Sequence, residues 1–136
     1  MQKPVRPVAD IRQALSLVKE SSADVIVAVG GGSVIDAAKA VIYYLHDETK
    51  IWIPSIAVPT TLSVAETSSR AGFTSDEGHK VRVMNENIAP KSRPDKSKVQ
   101  SSVECSLILG SVVIYDGDIA LHTPLKLWLS TGVRHF

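Results

Sequence analysis

Cysteine, net charge and long apolar runs are nearly absent from this sequence. The single cysteine, Cys105, excludes an intrachain disulfide and a zinc site built from several cysteines. Lysine and arginine together number 15 against 14 aspartates and glutamates, and the formal net charge of +1 provides no general attraction to nucleic acid or to an anionic membrane. No apolar run approaches the roughly 18 residues that cross a bilayer, and residues 1–13 lack the apolar core of a secretory signal. We therefore expect a cytoplasmic protein without nucleic-acid or membrane partners.

The apolar pattern of residues 11–58 predicts an α/β protein. The chain of 136 residues, 44% of them hydrophobic, allows one modest domain or a part of a larger one. Helical spacing predicts helices over 11–20 and 33–45, and a β-branched run at 25–29 is typical of a strand covered on both faces. A second strand fits 51–58. This order of elements predicts a doubly wound parallel sheet.

The remaining segments add a loop, a hairpin and a late helix. Residues 59–70 are polar and rich in hydroxyl groups, and two short runs flank a turn at 76–78. A third strand is expected over 107–115. Thr123 and Pro124 are typical of a helix start, with threonine as the cap and proline at the first position.

The two ends of the sequence lack the partners that a complete α/β domain needs. Only about three strands are visible, and an apolar helix begins shortly before the last residue with nothing after it to pack on. We expect that material is missing at both ends. The alternative is a complete small domain that covers these faces by forming a homo-oligomer.

Three consecutive glycines, Gly30, Gly31 and Gly32, stand between the first strand and the second helix. Without a Cβ, such a backbone can approach a ligand closely, and the first amides of the helix carry the positive end of its dipole. Ser33 can cap this helix and donate to a phosphate oxygen. The turn therefore predicts a seat for phosphate or pyrophosphate, although it is neither the G-x-G-x-x-G fingerprint nor a P-loop. A purely structural tight turn is the alternative.

Polar residues near this turn have weaker interpretations. Asp36 lies one turn into the helix, where a carboxylate complements the dipole. Lys39 is expected to be a solvated helix residue. Thr60 and Thr61 follow the second strand and so fall at the same edge of the sheet as the glycine turn, where hydroxyl groups can bind a ribose or a nicotinamide amide.

Four blocks in order resemble the iron-containing (group III) alcohol dehydrogenases. Residues 25–39 read VIVAVGGGSVIDAAK, which resembles the cofactor signature of that family. Residues 58–66 read VPTTLSVAE, residues 71–80 read AGFTSDEGHK, and residues 130–134 read STGVR. The pair Leu62-Ser63 is similar to the maleylacetate-reductase branch.

The resemblance implies a Rossmann-like nucleotide domain of the dehydroquinate-synthase-like fold, followed by a helical domain. Residues 1–122 would be a partial NAD(P)-binding domain and residues 123–136 the first turns of the helical domain, which carries iron or zinc in full-length relatives. The implied reaction is hydride transfer between NAD or NADP and a small alcohol or carbonyl substrate.

The resemblance also implies roles for individual residues. The pyrophosphate would lie on Gly30, Gly31, Gly32 and Ser33. Thr60 and Thr61 would contact the nicotinamide side, Asp36 would line the cleft, and Lys80 would reach the cofactor ribose or the substrate. Glu66 would be structural. No catalytic residue is identified. No metal ligand is assigned either, because the resemblance places Arg134 at the position of the family's aspartate ligand.

Two further hypotheses stay open. A relative similar to dehydroquinate synthase or glycerol-1-phosphate dehydrogenase would share the glycine turn but perform different chemistry. A truncated, inactive chain would act only as an interaction or cofactor-binding module. His46, His79 and His122 have no metal-ligand spacing and are expected at the surface.

Overall fold

A computed structural model describes residues 8–75, 78–88 and 112–132. From α1 to β2, helices and strands alternate in the expected α/β order. The elements are α1 Val8–Glu20, β1 Ile26–Gly30, α2 Gly32–Thr49, β2 Ser55–Pro59, β3 Arg70–Thr74, β4 Lys80–Met84, β5 Val112–Val113, α3 Gly117–Leu121 and α4 Leu125–Gly132. Short 3₁₀ turns occupy Ala65–Thr67 and Glu86–Ile88.

The sheet is parallel, as the sequence predicts. Its strand order is β1-β2-β5, with Ile26 opposite Ser55, Gly30 opposite Pro59, and Ile56 opposite Val112. Helix α2 connects β1 to β2 and covers one face of the sheet through a small cluster of Ala28, Ile35 and Ala57. Because parallel neighbours need a crossover connection, this unit places the ends of β1 and β2 at one edge.

The larger core lies on the other side of α2. An antiparallel hairpin of β3 and β4, with Arg70 opposite Met84 and Thr74 opposite Lys80, packs there and confirms the predicted hairpin. Helix α1 packs on α2 through the stripe that contains Ile11 and Leu15. The buried members of this core are Ile11, Leu15, Ala40, Val41, Ile42, Leu45, Ile53, Ala71, Phe73, Val83 and Ile88. Burial of their apolar surface holds the two layers together.

Some predicted boundaries are wrong. Helix α2 continues to Thr49, beyond the predicted end at 45, and Lys50 closes it in the left-handed region with φ of 61°. Strand β2 begins at Ser55 and not at 51, since the ring of Trp52 stacks on His46 at 3.8 Å and Pro54 has no amide to donate to a ladder. In the third predicted strand, only Val112–Val113 is a strand among the described residues, and 107–111 lie outside them.

One face of β1 is open within the described residues. Val27 and Val29 are 56% and 52% exposed, so the prediction of a strand covered on both faces is not met there.

No helix among the residues that the structure describes is long and apolar enough to cross a membrane.

Candidate functional site

The glycine turn and the loop after β2 meet at the edge where β1 and β2 end. The amide of Thr60 donates to the Gly30 carbonyl at 2.9 Å, which continues the β1–β2 ladder past the last strand pair. The following loop then passes directly over the start of α2. The structure therefore brings Gly30, Gly31, Gly32 and Thr61 into one place.

Packing inside the chain leaves little room for a side chain at any glycine of the turn. Gly30 has φ of 153°, a backbone region that side chains rarely adopt, and a Cβ there would lie 2.8 Å from Cγ2 of Val34. A Cβ on Gly31 would lie 3.1 Å from Cγ2 of Thr61, and a Cβ on Gly32 would lie 2.6 Å from Oγ of Ser63. The glycines thus admit the loop after β2. The space that their missing side chains leave is filled by other residues of this chain.

Helix α2 begins at Gly32, and Gly31 is its N-cap in an extended conformation. No side chain caps the helix, and Ser33 is its second residue, so the prediction that Ser33 caps it is wrong. The Gly31 carbonyl accepts the amides of Val34 and Ile35 at 3.0 and 3.2 Å. In the described part of the chain, the amides of Gly31 and Gly32 donate no hydrogen bond, and the first turn contains no acidic residue. The positive end of α2 is therefore available to an anion.

The hydroxyl of Thr61 is buried beside this helix end. Thr61 is only 7% exposed, and its Oγ1 has no hydrogen-bond partner among the described residues. A Cβ on Gly31 would lie 3.2 Å from this oxygen, so the hydroxyl lies directly against the turn. A buried polar group without a partner is costly and unusual, and a bound molecule is one explanation for it.

Asp36 and Lys80 are placed differently from one another. The carboxylate of Asp36 accepts the amide of Gly72 at 3.2 Å, so this side chain joins α2 to β3. Lys80 is the exposed first residue of β4, opposite Thr74. No hydrogen bond or ion pair between described residues connects Lys80 to the glycine turn.

Lys39 is buried, and the prediction of a solvated lysine is wrong. Its side chain is 2% exposed, and its ammonium donates to the carbonyl oxygens of Ala65, Ser68 and, at 3.3 Å, Arg70. Burial lowers the pKa of Lys39 below its ordinary value of 10.5, while the charges of Asp36 and Glu66 oppose that shift. Lys39 thereby holds the second half of the loop after β2 against α2.

Glu66 is a second buried charged residue in this loop. It is 4% exposed, and its Oε1 accepts the hydroxyl of Tyr115 at 3.1 Å, while Oε2 has no partner among the described residues. Partial desolvation of the hydroxyl, together with the charge and the hydrogen bond of Glu66, raises the pKa of Tyr115 above its ordinary value of 10.0, although the residue as a whole is exposed. Glu66 thus ties the loop to the segment that follows β5.

The C-terminal helices also contact the loop after β2. The hydroxyl of Thr123 donates to the Thr60 carbonyl at 2.8 Å, so the predicted capping role of Thr123 is wrong. Helix α4 instead begins on the Pro124 carbonyl, which accepts the amide of Leu127 at 2.9 Å. Thr131, 5% exposed, accepts the amide of Leu62 at 3.1 Å. Sequence reasoning missed these contacts, since a threonine gives no sign of a distant backbone partner.

Metal-ligating side chains are not gathered in the described parts of the chain, where no group of three or more histidine, cysteine, aspartate or glutamate residues could hold a metal ion. His46 is stacked on Trp52, and His122 is exposed after α3. The described residues therefore do not fit the metal that the resemblance implies.

The parallel sheet, with the start of α2 and a hydroxyl-bearing loop at its carboxyl edge, places this chain among the open α/β proteins, a class in which ligands bind at that edge. The family model described as iron-containing alcohol dehydrogenase matches residues 3–92. The chain belongs to the iron-containing alcohol dehydrogenase family. This confirms the resemblance that the four sequence blocks carry.

Curated relatives agree with that membership. A maleylacetate reductase of Sphingobium indicum is 30% identical over 128 residues, which are 94% of this chain and 29% of that protein. The dehydrogenase ALT3 of Alternaria alternata is 27% identical over an alignment of 149 positions, which covers 94% of this chain and 34% of that protein. The chain thus spans about three tenths of the length of these relatives.

Solved structures have the same fold. Maleylacetate reductase from Agrobacterium tumefaciens matches with a TM-score of 0.68 and 25% identity, over 96% of this chain and 29% of that one. Sulfoacetaldehyde reductase from Bifidobacterium kashiwanohense, solved in complex with NAD+, matches with a TM-score of 0.72 and 21% identity, over 96% of this chain and 33% of that one. The prediction of an α/β fold with a parallel sheet, as in this family, is confirmed.

Proposed function

We propose that this chain is the dinucleotide-binding part of an oxidoreductase that transfers hydride between NAD(P) and a small alcohol or carbonyl substrate. The observation that carries the proposal is the buried, unpartnered hydroxyl of Thr61 beside the free amides of Gly31 and Gly32. A dinucleotide offers the matching chemistry, because it joins an anionic diphosphate to neutral hydroxyl and amide groups. Family membership supports the same class of reaction.

In this proposal the diphosphate lies at the start of α2. The amides of Gly31 and Gly32 donate to phosphate oxygens, and the positive helix end stabilises their charge. Ser33, the next residue, adds a hydroxyl on the same turn. Gly30 contributes through its backbone conformation, which bends the chain from β1 into α2.

The nicotinamide side lies along the loop after β2. The hydroxyl of Thr61 forms a hydrogen bond with the ligand. The neighbouring Thr60 is held through its amide by the Gly30 carbonyl and through its carbonyl by the hydroxyl of Thr123. Asp36 keeps β3 close to this cleft through Gly72, and Lys80 approaches the ribose or the substrate from the hairpin. When bound, the nicotinamide supplies or accepts the hydride. The choice between NAD and NADP follows from comparing the two reduced cofactors in one assay.

Binding without turnover is the expected behaviour of this chain alone. It spans about three tenths of its relatives, and the part described here contains no set of metal ligands. We propose that residues 1–122 are part of the NAD(P) domain and residues 123–136 begin the helical domain that carries iron or zinc in full-length relatives. Maleylacetate reductases and alcohol dehydrogenases among the relatives favour this function over a dehydroquinate-synthase-like one. We also propose a cytoplasmic location on the grounds of composition.

The test is a titration of NADH and NADPH, followed by quenching of tryptophan emission, with the parent chain and Thr61→Val. The variant keeps the shape of the side chain and removes only the hydroxyl. We expect affinity to fall roughly three- to tenfold, which corresponds to one neutral hydrogen bond. We expect thermal stability to stay the same or to rise, because the hydroxyl has no partner in the described chain to lose.

Thr49→Val is the matched control, since Thr49 is a threonine at the opposite end of α2. It should leave cofactor affinity unchanged. Absence of saturable binding by the parent at millimolar NADH and NADPH would overturn the proposed function. Equal affinities of the parent and Thr61→Val would remove Thr61 from the site.

A further inference from the structure

The loop of residues 60–63 lies between the start of α2 and the segment that contains α3 and α4. On one side, the side chains of Thr61 and Ser63 fill the space left by Gly31 and Gly32. On the other side, the backbone of Thr60 and Leu62 is held by Thr123, which lies between α3 and α4, and by Thr131 in α4. The Thr60 carbonyl accepts the hydroxyl of Thr123, and the Leu62 amide donates to the hydroxyl oxygen of Thr131.

The hydroxyl of Thr131 is fully used by this arrangement. Its oxygen accepts the Leu62 amide at 3.1 Å, and its proton is shared with the carbonyls of Leu127 at 3.1 Å and Trp128 at 2.9 Å in its own helix. Thr131 is buried, so no water can readily replace it. Next to it, a Cβ on Gly132 would lie only 3.0 Å from Cδ1 of Leu62, which shows how closely α4 packs on the loop.

We propose that Thr131 and Thr123 are positioning residues for the cofactor. They hold the backbone on both sides of Thr61, and so α3 and α4 set the depth at which the Thr61 hydroxyl lies against the glycine turn. The proposal rests on the proposed function for its effect on affinity. It extends the cofactor site to two residues that touch no ligand, and it links the helical segment to the start of α2 through three consecutive loop residues.

The experiment compares the parent with Thr131→Val, Thr131→Ser and Thr123→Val, each as the full chain. Two quantities are measured: the amide NMR resonances of Gly31 and Gly32 without cofactor, and the dissociation constant for NADH. We expect Thr131→Val to shift both resonances and to weaken NADH binding about tenfold, because the Leu62 amide loses its acceptor. Thr131→Ser keeps the hydroxyl and should behave as the parent does. Thr123→Val should act in the same direction as Thr131→Val.

Thr49→Val is again the control, and a close one. The Thr49 hydroxyl donates to the Leu45 carbonyl at 2.7 Å and accepts the Ile51 amide at 3.2 Å, so, like Thr131, it donates to its own helix and accepts a backbone amide, but that amide is a near neighbour in sequence. It lies far from the loop and should change neither readout.

Unchanged resonances and unchanged affinity in Thr131→Val would overturn the proposal, and so would a shift of equal size in Thr49→Val. If the parent binds no NADH, the proposed function fails, and the resonances of Gly31 and Gly32 still decide whether α4 positions the turn. If circular dichroism shows that Thr131→Val does not fold, Thr123→Val decides in its place.

Discussion

Replacing Lys39 by methionine tests the buried amine that joins α2 to the loop after β2. Methionine keeps the length and apolar stem of the side chain and removes the ammonium. The carbonyls of Ala65, Ser68 and Arg70 then lose their common donor. Because these carbonyls belong to the segment just after Thr61 and Ser63, the loss should loosen the whole loop.

The expected cost follows from two opposing effects. Each hydrogen bond from a charged donor contributes about 1.5–3 kcal/mol, and a buried acceptor left without a partner costs a similar amount. Removing a buried charge returns several kcal/mol of desolvation free energy. Part of the loop can also relax toward water, so we expect a net loss of about 3 kcal/mol in the free energy of unfolding. For a chain of this size that corresponds to a melting temperature lower by about 10 °C.

The assay is urea unfolding of the parent, Lys39→Met and Lys19→Met. Lys19 is the matched control, because it is a partly exposed helix lysine whose described partner is Glu48 on the surface. An exposed ion pair contributes about 0–1 kcal/mol, so Lys19→Met should change little. If Lys39→Met costs no more than Lys19→Met, the ammonium is not held by the three carbonyls and the reasoning is refuted.

The difference in the free energy of unfolding between the parent and Lys39→Met should depend on pH, and this dependence checks the charge state of Lys39. Its pKa is lowered in the folded chain, so the folded state holds this proton less tightly than the unfolded chain does. The free energy of unfolding of the parent relative to Lys39→Met should therefore rise with pH between the lowered pKa and 10.5, and stay flat at lower pH. A fall over that range would show that the carbonyls and nearby carboxylates hold the proton more strongly than burial weakens it.

Two further substitutions test single features of the site. Gly30→Ala should lower the free energy of unfolding by about 3 kcal/mol, because the new Cβ adds a close contact with Val34 to the backbone strain. Gly78 has φ of 80° and open space around it, so Gly78→Ala should lower the free energy of unfolding by only about 1–2 kcal/mol. Equal losses in urea unfolding would contradict the packing argument. Tyr115→Phe should lower stability by about 1 kcal/mol through the lost bond to Glu66 and should remove the tyrosine that titrates above 10.0 in an absorbance titration. Because the folded state retains that proton, the parent should lose stability relative to Tyr115→Phe as pH rises beyond 10.0. An absorbance titration that is the same in both chains would contradict the assignment.

Much of the fold could be predicted from local pattern, because its elements are short and regular. The stripe of Ile11 and Leu15 marks the buried face of α1, and the β-branched run before Gly30 marks β1. The turn at 76–78 separates two runs that do pair as a hairpin. Boundaries were less accurate where side chains pack on one another, as Trp52 does on His46 before β2.

The candidate site was only partly predictable. The glycines and Thr61 were identified from the sequence, but the reason for the glycines was not, since their missing side chains make room for Thr61 and Ser63. The sequence predicts a solvated Lys39 because a lysine in a helix is usually exposed, and nothing near it in the sequence shows that it will donate to carbonyls 26 to 31 residues away.

The sequence by itself determined the order of helices and strands, the glycine turn and the family, because these depend on residues that are neighbours along the chain. Only the tertiary structure decided how the loop after β2 packs on the glycine turn and which residues hold the loop there. The physical reason is that the deciding contacts are hydrogen bonds between side chains and the backbone of distant segments, such as the one from the Leu62 amide to the Thr131 hydroxyl, 69 residues apart. Backbone groups are the same in every residue, so the sequence carries no sign of which of them will meet.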